Sequence, residues 1–140
     1  MLKITKGCDV VYHAAATAYE GLSVFSPHLI TQNIVTGSVS LFSAAIENKV
    51  KRIIFCSSMA RYGTNKTPFL ESYIPVPQDP YGIAKVAAEK ILINLCNVHG
   101  VEFVIAVPHN IIGPRQKYDD PYRNVASIMI NLMLQNRQPI

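Results

Sequence analysis

The sequence predicts an α/β protein built on a mostly parallel sheet covered by helices. Two observations carry this. Short apolar runs alternate with long stretches in which apolar residues recur at helical spacing. The composition is 49% hydrophobic and only 16% charged, which suits strands buried on both faces. A chain of 140 residues is long enough for one modest domain with one core, so residues 1–140 are read as a single domain.

The elements follow in order. The run Cys8-Asp9-Val10-Val11-Tyr12-His13-Ala14 predicts a first strand near 9–14. The small residues Ala14, Ala15 and Ala16 at its end let another group approach the backbone. Ser26-Pro27 predicts a helix start, with serine as cap and proline in the first turn. From Pro27 to about Asn48, apolar positions such as Leu29, Ile30, Ile34, Leu41, Phe42 and Ala45 keep helical period. A second strand is expected near 52–57, ending at Ser57-Ser58. Residues 59–79 contain Gly63, Pro68, Pro75 and Pro77 and read as a long loop, uncommon in a compact domain unless it has a function. From Pro80 a second helix runs to about His99, with Ala84, Ala87, Ala88, Ile91, Leu92 and Leu95 on its apolar face and Gly100 as its stop. A third strand is expected near 102–107, then a proline-rich loop and a last helix at roughly 123–136. Long helical connections between apolar strands imply parallel pairing.

Composition also excludes. The net charge is +4 but Lys and Arg are scattered, so nucleic-acid binding is not expected. The three cysteines, Cys8, Cys56 and Cys96, fit neither a zinc site nor a disulfide framework and point to a reducing, cytoplasmic setting. No stretch reads as apolar enough to span a bilayer, and no metal site is expected.

The candidate chemistry centres on Tyr81 and Lys85. Four residues apart, they share one helix face. A phenol titrates near ~10, and a nearby ammonium should stabilise the phenolate and bring that value down. Such a pair can carry a proton to or from a hydroxyl. Ser58, at the carboxyl end of a parallel strand, stands where open α/β sheets place ligands. Tyr-x-x-x-Lys alone is weak evidence. The ordered set is more specific: Ser57-Ser58, Tyr62-Gly63, then Pro80-Tyr81-Gly82-Ile83-Ala84-Lys85.

This set resembles the extended short-chain dehydrogenase/reductases that act on nucleotide sugars, the NAD-dependent epimerase/dehydratase family with its UDP-glucose 4-epimerases. His13-Ala14-Ala15-Ala16 is similar to the family's H-x-A-A. Asn33, with Gly37-Ser38 after it, is similar to its helix-borne asparagine, and Asn110-Ile111-Ile112-Gly113-Pro114-Arg115 to its N-x-x-G-P-R. The resemblance covers nearly every residue from Gly7 onward. It implies a partial Rossmann-like, doubly wound parallel sheet and NAD as cofactor. It implies Tyr81 as acid/base, Lys85 as its electrostatic partner and ribose ligand, and Ser58 as the hydroxyl that positions the sugar oxygen. Ala14, Ala15, Ala16, Thr17, Ala18 and Asn33 would line the cofactor, and Pro108 and His109 would lie by the nicotinamide. Asn110 and Asn124 would face the diphosphate of a nucleotide-sugar substrate. His13, His28 and His99 read as structural or exposed. A homodimer is left open.

Two departures stand out. Val107 replaces an arginine common in relatives, and no functional reading of it follows. The glycine-rich strand–turn–helix that cradles pyrophosphate is not found in these residues, which lack the family's first βαβ units. The expectation is therefore a fragment, inactive in isolation. Met59 and Ala60 follow Ser58 where dehydratases add an acidic pair, which favours an epimerase over a dehydratase or reductase. A remnant that acts only as a binding module is the non-enzymatic alternative.

Overall fold

The computed structural model describes residues 1–120 and 125–139. They form two compact units, Met1–Pro108 and His109–Ile140. The larger one holds a three-stranded sheet: β1 (Val10–His13), β2 (Arg52–Cys56) and β3 (Glu102–Ala106), in that spatial order. Both pairings are parallel, with Val10 opposite Arg52 and Arg52 opposite Glu102. The expected parallel sheet is therefore present, each strand trimmed by a residue or so from its expected ends.

The crossover from β1 to β2 is helix α1, Pro27–Glu47. Pro27 occupies the first turn as expected, but the Ser26 side chain makes no cap bond; only its carbonyl accepts, from Ile30 at 3.2 Å. Residues Gln32–Thr36 widen into a π-helical turn, which the apolar period does not reveal. By length and composition α1 is apolar enough to cross a bilayer, contrary to the sequence expectation. Here its apolar stripe has another use: Ile30, Ile34, Phe42 and Ala45 are buried in the core.

The crossover from β2 to β3 is helix α2, Pro80–His99. Asp79 caps it by accepting from the Gly82 amide at 3.0 Å, and Pro80 fills the first position. Gly100 ends it in the left-handed region (φ 67°), as expected of a helix stop. Ala84, Ala88, Leu92 and Cys96 bury one stripe against Ile53 and Phe55 of β2 and against α1. Each large apolar side chain so buried contributes about 1.5–3 kcal/mol. Phe42 and Phe55 meet edge to face at 5.7 Å, with the His13 ring beside both.

Strand order follows chain order and the crossovers share one hand, so α1 and α2 lie side by side on one face of the sheet. Alternation along β1 and β3 sends Val10, Tyr12 and Val104 the other way, where all three are exposed.

The second unit carries α3, Val125–Leu134. Its described residues agree with the expected last helix, while residues 121–124, including Asn124, lie outside the described set.

Candidate active site

The site is built where β2 runs out. Ser57 continues the sheet by donating its amide to the Ala106 carbonyl at 2.8 Å. Ser58 is extended, and its Oγ accepts from the Ala60 amide at 3.2 Å, capping a 3-10 turn, Met59–Arg61. The next amide, that of Met59, donates to the Pro108 carbonyl at 3.3 Å, which sets Pro108 beside the Ser58 turn.

Helix α2 delivers the other two groups. Tyr81 and Lys85 are both buried, at 8% and 2% exposure. The Ser58 side chain is close enough to the Tyr81 phenol to favour its deprotonated form. Lys85 Nζ donates to the Cys56 carbonyl at 2.7 Å and stands 5.8 Å from the centre of the Tyr81 ring. It also lies 5.0 Å from the Phe55 ring, a position that favours a cation. Ser58, Tyr81 and Lys85 thus come together at a strand's carboxyl end.

Their electrostatics differ from the simplest expectation. Burial pushes the Tyr81 phenol above its ordinary value, the neighbouring Ser58 hydroxyl opposes this, and the charges of Glu20 and Asp79 push it further up. The lysine does not bring it down here, because its ammonium is turned to the Cys56 carbonyl. Burial lowers Lys85 to about 8, against the pull of Cys56 and Glu89. A buried amine poised there can be charged or neutral near physiological pH.

A second group gathers at the end of β1. Ala15, Ala16, Thr17 and Asn33, with His13, line a cavity of about 620 Å³. Asn33 stands in the π-helical turn and donates to Thr17 Oγ1 at 2.7 Å. Ala14 and Ala18 are exposed beside it. His13 is buried and hydrogen-bonds Ser38 at 2.8 Å; burial, then the charge of Lys85, lowers its pKa. His109 and Asn110 open the second unit; both are exposed, and Asn110 adopts a positive φ of 42°.

Several groups escaped the sequence reading. Asp79 was legible as a cap, since an aspartate followed by proline is a common helix start. Glu20 has no spacing signal. Glu89 and Arg61, buried and partly buried in a 3.2 Å ion pair behind Ser57, join residues far apart in sequence.

Gly82 sets how near the two halves approach. A Cβ there would stand 2.9 Å from the Ala60 carbonyl oxygen and 3.0 Å from Pro77 Cβ. Gly82→Ala is therefore expected to force the start of α2 away from the Ser58 turn and to cost about 1–3 kcal/mol. Chemical denaturation checks this; an unchanged midpoint would mean that the turn yields without cost.

The model of the NAD dependent epimerase/dehydratase family matches residues 1–140. The chain belongs to this family. Among family relatives, a probable UDP-arabinose 4-epimerase of Arabidopsis thaliana is 35% identical over 106 residues, 75% of this chain and 26% of that protein. A UDP-glucose 4-epimerase of Streptomyces lividans is 29% identical and is matched by all of this chain over 45% of its own length. The solved UDP-N-acetylglucosamine 4-epimerase of Methanobrevibacter ruminantium, in complex with UDP-N-acetylmuramic acid, superposes with a TM-score of 0.93 at 35% identity, over 97% of this chain and 44% of that one. The UDP-glucose 4-epimerase of Thermus thermophilus, in complex with NAD, superposes with a TM-score of 0.86 at 28% identity, over 93% of this chain and 42% of that one. The chain spans less than half the length of these epimerase/dehydratase relatives.

Proposed function

We propose that these residues are the central part of the catalytic domain of an NAD-dependent nucleotide-sugar epimerase, acting at C4 of a UDP-hexose or a similar sugar. The carrying observation is the convergence of the Ser58 hydroxyl, the Tyr81 phenol and the Lys85 ammonium at the carboxyl end of β2. The names of the relatives, UDP-arabinose and UDP-glucose 4-epimerases, support the same reaction class.

The residues suit one end of the cofactor. Small side chains and Asn33 surround the cavity at the end of β1, and Lys85 and Tyr81 offer donors to a ribose hydroxyl. NAD, when bound, would supply the hydride acceptor and donor. Tyr81 holds or releases the proton of the sugar hydroxyl at its phenolic oxygen. Ser58 orients that hydroxyl by hydrogen bonding. Lys85 stands beside the phenol as its electrostatic partner, and its ammonium serves the cofactor ribose and the phenolate on leaving the Cys56 carbonyl. Ala14, Ala15, Ala16, Thr17, Ala18 and Asn33 line the cofactor, with Pro108 and His109 beside the nicotinamide. Asn110 and Asn124 receive the diphosphate. The free cysteines Cys8, Cys56 and Cys96 are in keeping with a cytoplasmic enzyme.

The test is epimerisation itself. Protein expressed from the longest reading frame containing these residues is incubated with NAD and UDP-glucose, UDP-N-acetylglucosamine or UDP-arabinose, and the sugar is followed by NMR. Interconversion of C4 epimers is expected for at least one of them; loss of water from the sugar instead would make the enzyme a dehydratase. The 140-residue chain by itself is expected to bind NAD weakly or not at all. It carries no Gly-x-x-Gly-x-x-Gly turn for the pyrophosphate. The remaining hydrogen bonds contribute about 0.5–1.5 kcal/mol each, against an association cost of roughly 4–15 kcal/mol. Tight stoichiometric binding in a calorimetric titration would reveal a phosphate site elsewhere in these residues.

A further inference from the structure

The buried stripe of α2 carries two charged residues where packing alone would favour apolar ones. Lys85 and Glu89 stand one turn apart on the same face, each 2% exposed. A buried carboxylate is costly unless its oxygens are occupied. Those of Glu89 are divided between two segments: Oε1 accepts from the Ser57 hydroxyl, and Oε2 pairs with Arg61 at 3.2 Å. Ser57 is the residue before Ser58, and Arg61 ends the 3-10 turn that Ser58 caps. The carboxylate thus brackets Ser58 from both sides, while its own helix carries Tyr81 and Lys85.

We propose that Glu89 is a positioning residue for the Ser58, Tyr81 and Lys85 group, fixing the serine-bearing turn to the helix through Ser57 and Arg61 and holding Lys85 as a cation through its charge. This rests on the reading of that group as the reacting centre. Other groups also face Lys85: the Cys56 carbonyl and thiol and the Phe55 ring from β2, His13 from β1, and Tyr81 from its own helix. Burial disfavours the charged amine, and Cys56 and then Glu89 favour it, Glu89 as the carboxylate one turn along the same helix. Burial pushes Glu89 itself up, and Ser57, Arg61 and Lys85 each pull it back towards the carboxylate.

A role in packing alone would be met by glutamine, which has the same shape and can still accept from Ser57. The charge is therefore tested on the full chain, labelled with carbon-13 at lysine Cε and glutamate Cδ and titrated by NMR. In Glu89→Gln the Lys85 midpoint should fall by about one unit, a roughly tenfold fall in the ratio of charged to neutral amine at a given pH. In the unsubstituted chain the Glu89 carboxyl carbon should show an inflection at the Lys85 midpoint, a measurement that needs no variant to fold. A Lys85 midpoint unmoved in folded Glu89→Gln overturns the proposal. If that variant does not fold, the absence of the inflection overturns it. Neither readout uses turnover, so a failure of the epimerase reading would leave this result standing, and a failure here would leave that reading intact.

Discussion

Tyr81→Phe is expected to reduce epimerisation by about 10²–10⁴-fold while leaving the fold in place. The phenol is the one group of the site whose oxygen can carry a proton to and from a sugar hydroxyl and whose removal disturbs little else. The ring packs in the core cluster and stays when the oxygen goes. Ser58 loses the phenol but keeps the Ala60 amide as a donor, and Lys85 keeps the Cys56 carbonyl. A folding defect is therefore not expected to obscure the kinetic one. The measurement is kcat and KM for the nucleotide sugar, with the protein from the longest reading frame and thermal unfolding as control. KM should change much less than kcat, because a group that acts on the proton in the transition state adds little to ground-state binding. Turnover within a few-fold of the parent would remove Tyr81 from the mechanism.

The largest stability effect is expected at Gly63. Its φ is 49°, and a Cβ would fall 1.8 Å from the Val76 carbonyl oxygen and 2.8 Å from the carbonyl carbon. No side-chain motion relieves a clash with backbone. The neighbouring hydrogen bond, Val76 amide to Arg61 carbonyl at 2.9 Å, pins the two strands of the loop at that separation. Asn65 adds a second clasp, donating to the Tyr62 and Ile74 carbonyls at 2.9 and 2.8 Å. Gly63→Ala must open this loop, at a cost of about 3 kcal/mol or more and a fall in Tm of roughly 10 °C. Gly100 is the internal control. It too is left-handed, at 67°, but nothing lies within 4 Å of its missing Cβ. Gly100→Ala should cost about 1–2 kcal/mol, from backbone strain alone. Equal losses at the two glycines in thermal unfolding would refute the steric argument.

Much of this architecture was legible from local chemistry. Apolar runs closed by Ser57-Ser58 and His13-Ala14 mark strands, and Pro80 and Gly100 bracket a helix, because proline and glycine restrict or release single backbone angles. The meeting of Ser58, Tyr81 and Lys85 was legible because helix period and the position of a strand's end are both local rules. What stayed hidden is long-range. Nothing near Glu89 in sequence announces Ser57 or Arg61, and a glutamate among alanines and leucines reads as a solvated position. Nor does the spacing around Asn33 show a π-helical turn, since one extra residue in a turn leaves the apolar pattern almost unchanged. The loop of residues 59–79 looked irregular because its order comes from backbone and amide clasps that composition does not encode.

The parallel register of the sheet has a kinetic consequence. Val10 meets Arg52, and Arg52 meets Glu102, so neither pairing can form until an entire helix has been traversed. Contacts of such high sequence separation pay their loop-closure entropy before any ladder bond rewards it. Helix α2, by contrast, has its cap, its proline and its glycine stop within its own length and can begin to form on a sub-microsecond to microsecond scale. Helix α2 is therefore expected to form ahead of the two parallel ladders.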